Sequence, residues 1–325
     1  MKRALLLLVI LPALAIIAAG TAFWILWAGP GPFGEPKTLI VEQGSSVARV
    51  AQQLERDGLI KGNATTFRGF ARVFGAAAPI QAGEFRLRER MSASAILTHL
   101  QYGRPIQRLV TIPEGTPSVL VHERLMQVPY LTGEIEVPRE GSVLPDSYSY
   151  ARGETRAAVL ARMQRAMRDE LARLWEQRGS DIAVESPEAA VILASVVEKE
   201  TGKPSERRMI AGVYTNRLRR GMPLQADPTV IYPITQGRPL GRRILRSELN
   251  ANNGYNTYRQ AGLPIGPIAN PGRESIAAVL NPERTSALFF VADGTGGHVF
   301  ADTSRPAGRG CPSRPCARRG SPAWS

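Results

Sequence analysis

Cysteine and histidine are scarce in this chain of 325 residues, which holds two cysteines and three histidines. Cys311 and Cys316 both stand near the C-terminal end, so the rest of the sequence has no cysteine from which a disulfide framework could be built. His99, His122 and His298 lie far apart and show none of the ligand spacings of a zinc site. We therefore expect no metal site, and nothing in the sequence calls for a cofactor.

Acidic residues are also few, since 28 Asp and Glu face 41 Lys and Arg and leave a net charge of +13. Such an excess can indicate a nucleic-acid-binding protein. The arginines between Arg152 and Arg178, however, alternate with acidic residues, as on a solvated helix face. No basic stripe studded with aromatic residues, of the kind that binds single strands, is present in the sequence. We expect no nucleic-acid partner.

The one long uncharged run, Ala4–Gly29, lies next to the N-terminus and follows Lys2 and Arg3. It is long enough to cross a bilayer, and the basic residues before it predict a cytoplasmic N-terminus. A cleaved signal peptide is the alternative, but the long apolar run and the lack of a convincing cleavage site favour a retained anchor. We therefore predict an anchor over residues 1–29, a Pro/Gly-rich linker over residues 30–37, and a body outside the cytoplasm.

A small module is predicted over residues 38–107, where the hydrophobic pattern gives strand, helix, helix and strand in that order. This layout, together with the phrase Val-Glu-Gln-Gly-Ser-Ser that begins at Val41, resembles the LysM module, which binds polymers of N-acetylglucosamine. A generic α/β packing domain is the alternative. The predicted elements are Thr38–Val41, Ser45–Asp57, Ala64–Phe74 and Gly83–Leu87.

A central helix is predicted to begin at Pro187, because Ser186 before it can cap free backbone N–H groups. Its first three turns are apolar on all sides, which is typical of a helix buried in a core. Glu198 and Glu200 stand at its far end and project in roughly opposite directions, so only one can face a given cleft. A glutamate at the end of such a helix is a candidate general acid. The alternative is that both glutamates simply end the helix in water.

Two polar and aromatic segments and one Pro/Gly-rich loop follow this helix: Leu224–Tyr232, Tyr255–Tyr258 and Gly262–Gly272. Short polar side chains mixed with tyrosines suit a sugar groove, since sugar hydroxyls pair with amides and carboxylates while sugar faces stack on rings. Rigid surface loops held by proline are the alternative. The predicted substrate-binding residues are Gln225, Asp227, Thr229, Tyr232, Tyr255, Asn256, Tyr258 and Asn270.

A glycine-rich segment, Asp293–Gly297, could be mistaken for a phosphate-binding loop. No helical pattern follows these glycines, whereas apolar residues flank them on both sides. We therefore predict the turn of a β-hairpin.

Five successive motifs together resemble the endolytic murein transglycosylase family, and the likeness extends over roughly Ala4 to Thr303. The resemblance implies a single-pass bacterial inner-membrane enzyme with a periplasmic body that cuts nascent peptidoglycan glycan strands internally. It also implies peptidoglycan synthases and the division machinery as partners, and Glu198 as the catalytic residue. The motifs are Ala194–Thr201, Gln225–Tyr232, Tyr255–Tyr258, Gly262–Gly272 and Asp293–Phe300.

The chemistry that the resemblance implies needs only one carboxylate. A glutamate protonates the leaving oxygen, the C6 hydroxyl of the sugar attacks C1, and the glutamate takes up the hydroxyl proton, which leaves a 1,6-anhydro-N-acetylmuramic acid end. Asp227 placed across the bond from Glu198 would instead permit a muramidase-type hydrolysis. A catalytically impaired peptidoglycan-binding scaffold is another alternative.

The expected fold class is therefore α+β: a transmembrane helix, a small LysM-like module and a larger mixed α+β catalytic domain over residues 108–303. Residues 304–325 depart from the family pattern. They are rich in arginine, proline and glycine, show no apolar periodicity and are predicted to be disordered.

Overall fold

The computed structural model describes residues 2–200 and 202–303 of the chain, and of residues 2–9 only the backbone. It is a mixed α+β structure, as the sequence predicts, and the strands of the described part form three two-stranded sheets. The C-terminal tail, residues 304–325, lies outside the described residues. The helices are α1 (Lys2–Phe23), α2 (Val47–Arg56), α3 (Ala64–Phe74), α4 (Ala93–Tyr102), α5 (Ser118–Gln127), α6 (Arg156–Glu176), α7 (Pro187–Glu200), α8 (Arg207–Arg219), α9 (Asp227–Thr235), α10 (Arg246–Leu249) and α11 (Arg273–Leu280). The strands are β1 (Lys37–Val41), β2 (Gly83–Leu87), β3 (Gln107–Thr111), β4 (Ser147–Ala151), β5 (Phe289–Ala292) and β6 (His298–Ala301).

The apolar run at the N-terminus forms α1 and continues through a π-helical turn, Trp24–Ala28. Among the described residues, one helical stretch, Ile10–Ala28, is long and apolar enough to cross a membrane, with a mean hydropathy of 2.0. Its length and composition fit both a membrane anchor and a signal sequence.

The first of two compact units comprises the chain up to Arg108 and two short later segments, residues 130–132 and 149–154. The predicted order of strand, helix, helix and strand is confirmed, with β1 and β2 paired antiparallel. Alternate side chains of both strands point inward, as the period of two in a strand requires. The core residues that these strands and the helices α2, α3 and α4 contribute include Leu39, Val41, Phe85, Leu87, Val50, Leu54, Phe67, Ile96, Leu97 and Leu100.

The segment predicted as a linker, residues 30–37, takes part in this unit. Phe33 is buried, as is Trp27 before it. The Gly31 N–H donates to the Arg90 carbonyl at 2.9 Å, and the Arg90 N–H donates to the Phe33 carbonyl at 2.8 Å. The glycines and prolines set the turns of the segment, while one aromatic side chain attaches it to the core.

Of the described residues, the second unit comprises 109–129, 133–148, 155–200 and 202–303, and its core surrounds α7. This helix begins at Pro187, and the Ala189 N–H donates to the Ser186 hydroxyl at 3.1 Å, so the predicted cap is confirmed. The predicted burial is confirmed as well, because α6, α8 and α11 all pack against α7. The buried residues of α7 are Ala190, Val191, Leu193, Ala194, Ser195, Val196, Val197 and Glu198.

The predicted β-hairpin is present near the end of the described chain, where β5 pairs antiparallel with β6. Its turn is held by Asp293, whose Oδ1 accepts the N–H groups of Thr295 at 2.7 Å and Gly297 at 3.1 Å. Phe290 of β5 packs edge-on against Tyr214 of α8, which attaches the hairpin to the core.

Candidate active site

Glu198 lies in the last turn of α7 with a side chain only 6% exposed. Its Oε2 accepts a hydrogen bond from the Gly272 backbone N–H at 2.9 Å, and Gly272 is the N-cap residue of α11. Its Oε1 lies 3.4 Å from Nη2 of Arg207, the first residue of α8. The carboxylate is therefore held at both oxygens by the protein, and the alternative of a helix that simply ends in water is wrong for Glu198.

Arg207 joins Glu198 to a second carboxylate, because the same Nη2 lies 2.9 Å from Oε2 of Glu114. The Arg207 side chain is 13% exposed and the Glu114 side chain 42% exposed. A buried carboxylate, Glu198, and a partly exposed one, Glu114, thus share one guanidinium nitrogen. Sequence reasoning missed both Glu114 and Arg207. The turn Pro113-Glu-Gly115 directly after β3 was the only local signal for the first.

Two glycines make room for this arrangement. Gly115 has a φ of +70°, and a methyl group there would stand 3.2 Å from Cγ of Glu198. A methyl group at Gly272 would stand 2.7 Å from Cγ of Glu114. A side chain at either position would push a carboxylate away from Arg207.

The loop Gly262–Gly272 is attached to α7 at two points. The Ser195 hydroxyl accepts the Ile268 N–H at 3.0 Å, one turn before Glu198 accepts the Gly272 N–H. Residues three apart lie on the same face of a helix, so one face of α7 holds the second half of the loop. The position of Gly272, and with it the orientation of Glu198, depends on both bonds.

We predict that Ser195→Ala destabilises the protein by about 1–3 kcal/mol, because it leaves the buried Ile268 N–H without its acceptor. Urea unfolding of the detergent-solubilised chain measures the change, with Ser205→Ala, at an exposed position, as the control. A loss no larger than that of the control would contradict the role assigned to Ser195.

Asn270, a predicted substrate-binding residue, is fully buried in this loop. Its Oδ1 accepts the Val143 N–H at 3.0 Å, and its Nδ2 donates to the Thr116 carbonyl at 2.9 Å and to Oε1 of Glu140 at 3.2 Å. The side chain therefore ties three separate segments together and positions the loop rather than offering a group to a ligand.

Thr229 and Asn256 are also fully buried. The Thr229 hydroxyl lies 2.8 Å from that of Thr257, and Nδ2 of Asn256 donates to the carbonyls of Leu249 at 3.0 Å and Ala251 at 2.8 Å. In this structure these two predicted substrate-binding side chains hold the backbone of the polar and aromatic segments.

The other five predicted residues keep exposed surface. Gln225 is exposed and has a φ of +53°, a conformation that costs a non-glycine residue energy and is frequent at functional sites. Asp227 accepts a hydrogen bond from the Tyr258 hydroxyl at 2.6 Å. The rings of Tyr232 and Tyr255 lie 4.9 Å apart. Four of these residues therefore form two contacting pairs, and Gln225 stands apart from them.

Glu140, which was not predicted from the sequence either, lies at the hydroxyl end of Tyr232. The Tyr232 hydroxyl donates to its Oε2 at 3.1 Å, and burial raises the pKa of the Glu140 carboxyl. The pocket beside them has a volume of about 260 Å³ and joins apolar walls to polar groups. Its lining residues are Ser118, Val119, Val137, Pro138, Glu140, Tyr232 and Gln236.

Glu200 has different neighbours from Glu198, in line with their opposite directions on the helix. Burial and the charge of Asp227 raise the pKa of the Glu200 carboxyl to about 7, against the opposing effects of a hydrogen bond from Tyr214 and the charge of Arg217. Near neutral pH, this carboxyl therefore binds a proton that it would lose in the unfolded chain.

We predict that Glu200→Gln stabilises the protein above neutral pH. A folded pKa of about 7 above the ordinary 4.5 means that the folded state loses stability as pH rises through this window, and glutamine removes that loss. The gain should be roughly 1–3 kcal/mol at about pH 8 and vanish at about pH 4. Urea unfolding at both pH values tests this, with Glu188→Gln, at an exposed position, as the control. Equal stability of variant and wild type at the higher pH would contradict it.

The chain resembles characterised proteins over most of its length. A protein from Streptococcus pneumoniae named endolytic murein transglycosylase is 28% identical over 81% of this chain, and one of the same name from Bacillus subtilis is 27% identical over 81%. The matches cover 55% and 80% of those proteins, so the chain spans about half the length of the pneumococcal relative. A crystal structure of a YceG-like protein from Listeria monocytogenes, 26% identical, aligns with 83% of this chain and 97% of its own, with a TM-score of 0.49. The sequence model of the YceG-like family matches residues 39–306, and the chain therefore belongs to that family.

Proposed function

We propose that this protein is a lytic transglycosylase that cuts nascent peptidoglycan glycan strands internally. The observation that carries the proposal is Glu198, a nearly buried carboxylate held by a backbone N–H and placed where α7 leaves the core. Membership of the YceG-like family and the names of the two relatives support the reaction class.

In this proposal Glu198 acts first as the acid and then as the base. Gly272 engages Oε2, so Oε1 is the oxygen that delivers a proton to the glycosidic oxygen. The C6 hydroxyl of N-acetylmuramic acid then attacks C1 and gives its proton back to Glu198. The bond to the leaving sugar breaks, a 1,6-anhydro ring forms, and no water is consumed.

The glycan is proposed to lie against the exposed members of the polar and aromatic segments. Rings such as Tyr232 and Tyr255 offer stacking faces, and the pocket that Glu140 helps to line can take a small group with both apolar and polar parts. The buried residues Thr229, Asn256 and Asn270 act by holding these segments in place. The residues proposed to touch the sugar are Gln225, Asp227, Tyr232, Tyr255 and Tyr258.

Product analysis tests the proposal. Uncrosslinked glycan strands incubated with the detergent-solubilised chain should give internal fragments with anhydro ends, identified by mass spectrometry. Fragments with reducing ends would indicate a hydrolase. Binding without any fragment would indicate an impaired scaffold.

A muramidase-type hydrolysis is the second candidate, and Glu114 is the observation that favours it. Its partly exposed carboxylate shares Nη2 of Arg207 with Glu198, whereas Asp227 is engaged by Tyr258. Two carboxylates that flank the bond are the usual equipment of a hydrolase. If this reading holds, Glu114→Gln should abolish the formation of reducing ends.

We also propose that residues 38–107 form a LysM-like module that binds glycan, which the order of its elements and the antiparallel β1–β2 pair support. Removal of residues 38–107 should then weaken binding of the remaining chain to purified peptidoglycan. Unchanged binding would contradict the module's role.

The proposed location is the inner membrane, with residues 1–29 as a cytoplasmic N-terminus and anchor and the catalytic domain, residues 108–303, in the periplasm. Protease added to spheroplasts should then degrade everything beyond about the segment 30–37, and full protection would contradict this. Peptidoglycan synthases and division proteins are the partners that the family resemblance proposes.

A further inference from the structure

The N–H donors of Arg207 are unevenly engaged in this structure. Its Nη2 serves both Glu198 and Glu114, whereas its buried Nε has no hydrogen-bond partner among the described residues. A guanidinium binds a carboxylate best through two parallel N–H donors, and here each carboxylate obtains one shared nitrogen. A better partner for Arg207 would therefore be a carboxylate that could use Nε and Nη2 together.

The resting arrangement also conflicts with the proposed chemistry. Oε1 of Glu198, the oxygen assigned to the proton transfer, faces Nη2 of Arg207 at 3.4 Å. The guanidinium therefore stands where the glycosidic oxygen has to come. Catalysis is therefore favoured when something draws the guanidinium of Arg207 away from Glu198.

The route for such a movement leads toward solvent. Glu114, the nearer partner of Arg207, is 42% exposed, whereas Glu198 is 6% exposed. A carboxylate that arrives from solvent can compete for the guanidinium on the Glu114 side. Peptidoglycan strands bring such groups with them, because each peptide stem on N-acetylmuramic acid carries free carboxylates.

We propose that Arg207 binds a carboxylate of the peptide stem and that this contact moves the guanidinium away from Glu198. The inference rests on the proposed function for its substrate class. In this proposal Arg207 selects strands with charged stems, and their binding frees Oε1 of Glu198 for the glycosidic oxygen. Glu114 holds Arg207 until the substrate arrives.

Two substrates that differ only in charge test the proposal: strands with free stem carboxylates, and the same strands with those carboxylates converted to amides. For the wild type we expect kcat/KM to be about tenfold or more higher on the free strands, the scale of a charge-assisted hydrogen bond. Arg207→Gln should bring the ratio of the two values to about one. Arg207→Lys, which keeps the charge but not the planar fork, should retain part of the ratio.

Arg273→Gln is the matched control. Arg273 begins α11 directly after Gly272, and its Nε pairs with Glu170 at 2.8 Å. The variant removes the same charge close to the site without touching Glu198, so the ratio should stay at the wild-type value. Glu114→Gln provides a complementary test, because it removes the carboxylate that competes with the substrate for Arg207. Arg207 should then bind the free strands more tightly, and the ratio of kcat/KM on free strands to that on amidated strands should rise.

A wild type that cleaves both strands equally well, or an Arg207→Gln variant that keeps the wild-type ratio, overturns the proposal. If Arg207→Gln does not fold, the Glu114→Gln variant decides, and an unchanged kcat/KM ratio in that variant overturns the proposal. Failure of the proposed function gives a different result, namely no anhydro product from either strand. In that case fluorescence anisotropy of labelled strands on the Glu198→Gln chain decides, because tighter binding of the free strands supports the proposal and equal binding overturns it.

Discussion

Replacement of Glu198 by glutamine should lower the rate of glycan cleavage roughly 10²-fold or more and leave glycan binding intact. Glutamine matches glutamate in size, and its carbonyl oxygen can still accept the Gly272 N–H that now lies 2.9 Å from Oε2. It cannot deliver a proton to the leaving oxygen. Single-turnover cleavage of labelled strands gives the rate, and anisotropy of the same strands gives the affinity.

Glu200→Gln is the control for this result, because it makes the same chemical change two residues later on the same helix. Glu200 interacts with Tyr214, Arg217 and Asp227, and its replacement should change the cleavage rate much less. If Glu198→Gln kept near-normal cleavage while Glu200→Gln abolished it, the acid would be assigned to the wrong glutamate.

Gly141→Ala should destabilise the protein by about 3 kcal/mol, the combined effect of a strained backbone and an overpacked contact. Gly141 has a φ of +73°, and a methyl group there would stand 2.7 Å from Cγ of Pro267 and 2.8 Å from Cγ1 of Val191. Both neighbours are stiff, since one is a proline ring and the other a buried side chain of α7. The substitution separates the Gly262–Gly272 loop from the helix that carries Glu198, and urea unfolding measures its effect.

Gly133→Ala separates the two contributions. Gly133 has a φ of +74°, nearly that of Gly141, but a methyl group there would meet no atom of the described residues within 4 Å. It should cost only the backbone strain, about 1 kcal/mol. Equal losses for the two variants would show that the contact with Pro267 and Val191 adds nothing.

Elements with their own local signals could be predicted from the sequence. The start of α7 follows from a serine followed by a proline, and the β5–β6 hairpin from an Asp-Gly turn between apolar runs. Helix α9 was missed because Pro228 and Pro233 indicate a turn. In the structure Pro228 occupies the first turn of α9, where the backbone N–H that it lacks would have no helical partner.

The residues of the candidate site also differ in whether they have a local signal in the sequence. Glu198 could be predicted as the candidate acid because its signal is local: an apolar helix ends in charged residues that directly follow it in the sequence. Glu114 and Arg207 are 93 residues apart in the chain, and only the tertiary fold brings them together. The composition of a segment also cannot distinguish an amide that meets a ligand from one, such as Asn256, that holds carbonyl groups of its own loop.

The central claim is that Glu198 directs an internal attack of a sugar hydroxyl rather than an attack of water. Cleavage of uncrosslinked strands in water enriched in heavy oxygen tests it most directly, with wild type and Glu198→Gln treated in parallel. We expect anhydro ends without heavy oxygen from the wild type and almost no anhydro ends from the variant. Heavy oxygen in the new ends, or anhydro ends that persist in Glu198→Gln, would contradict it.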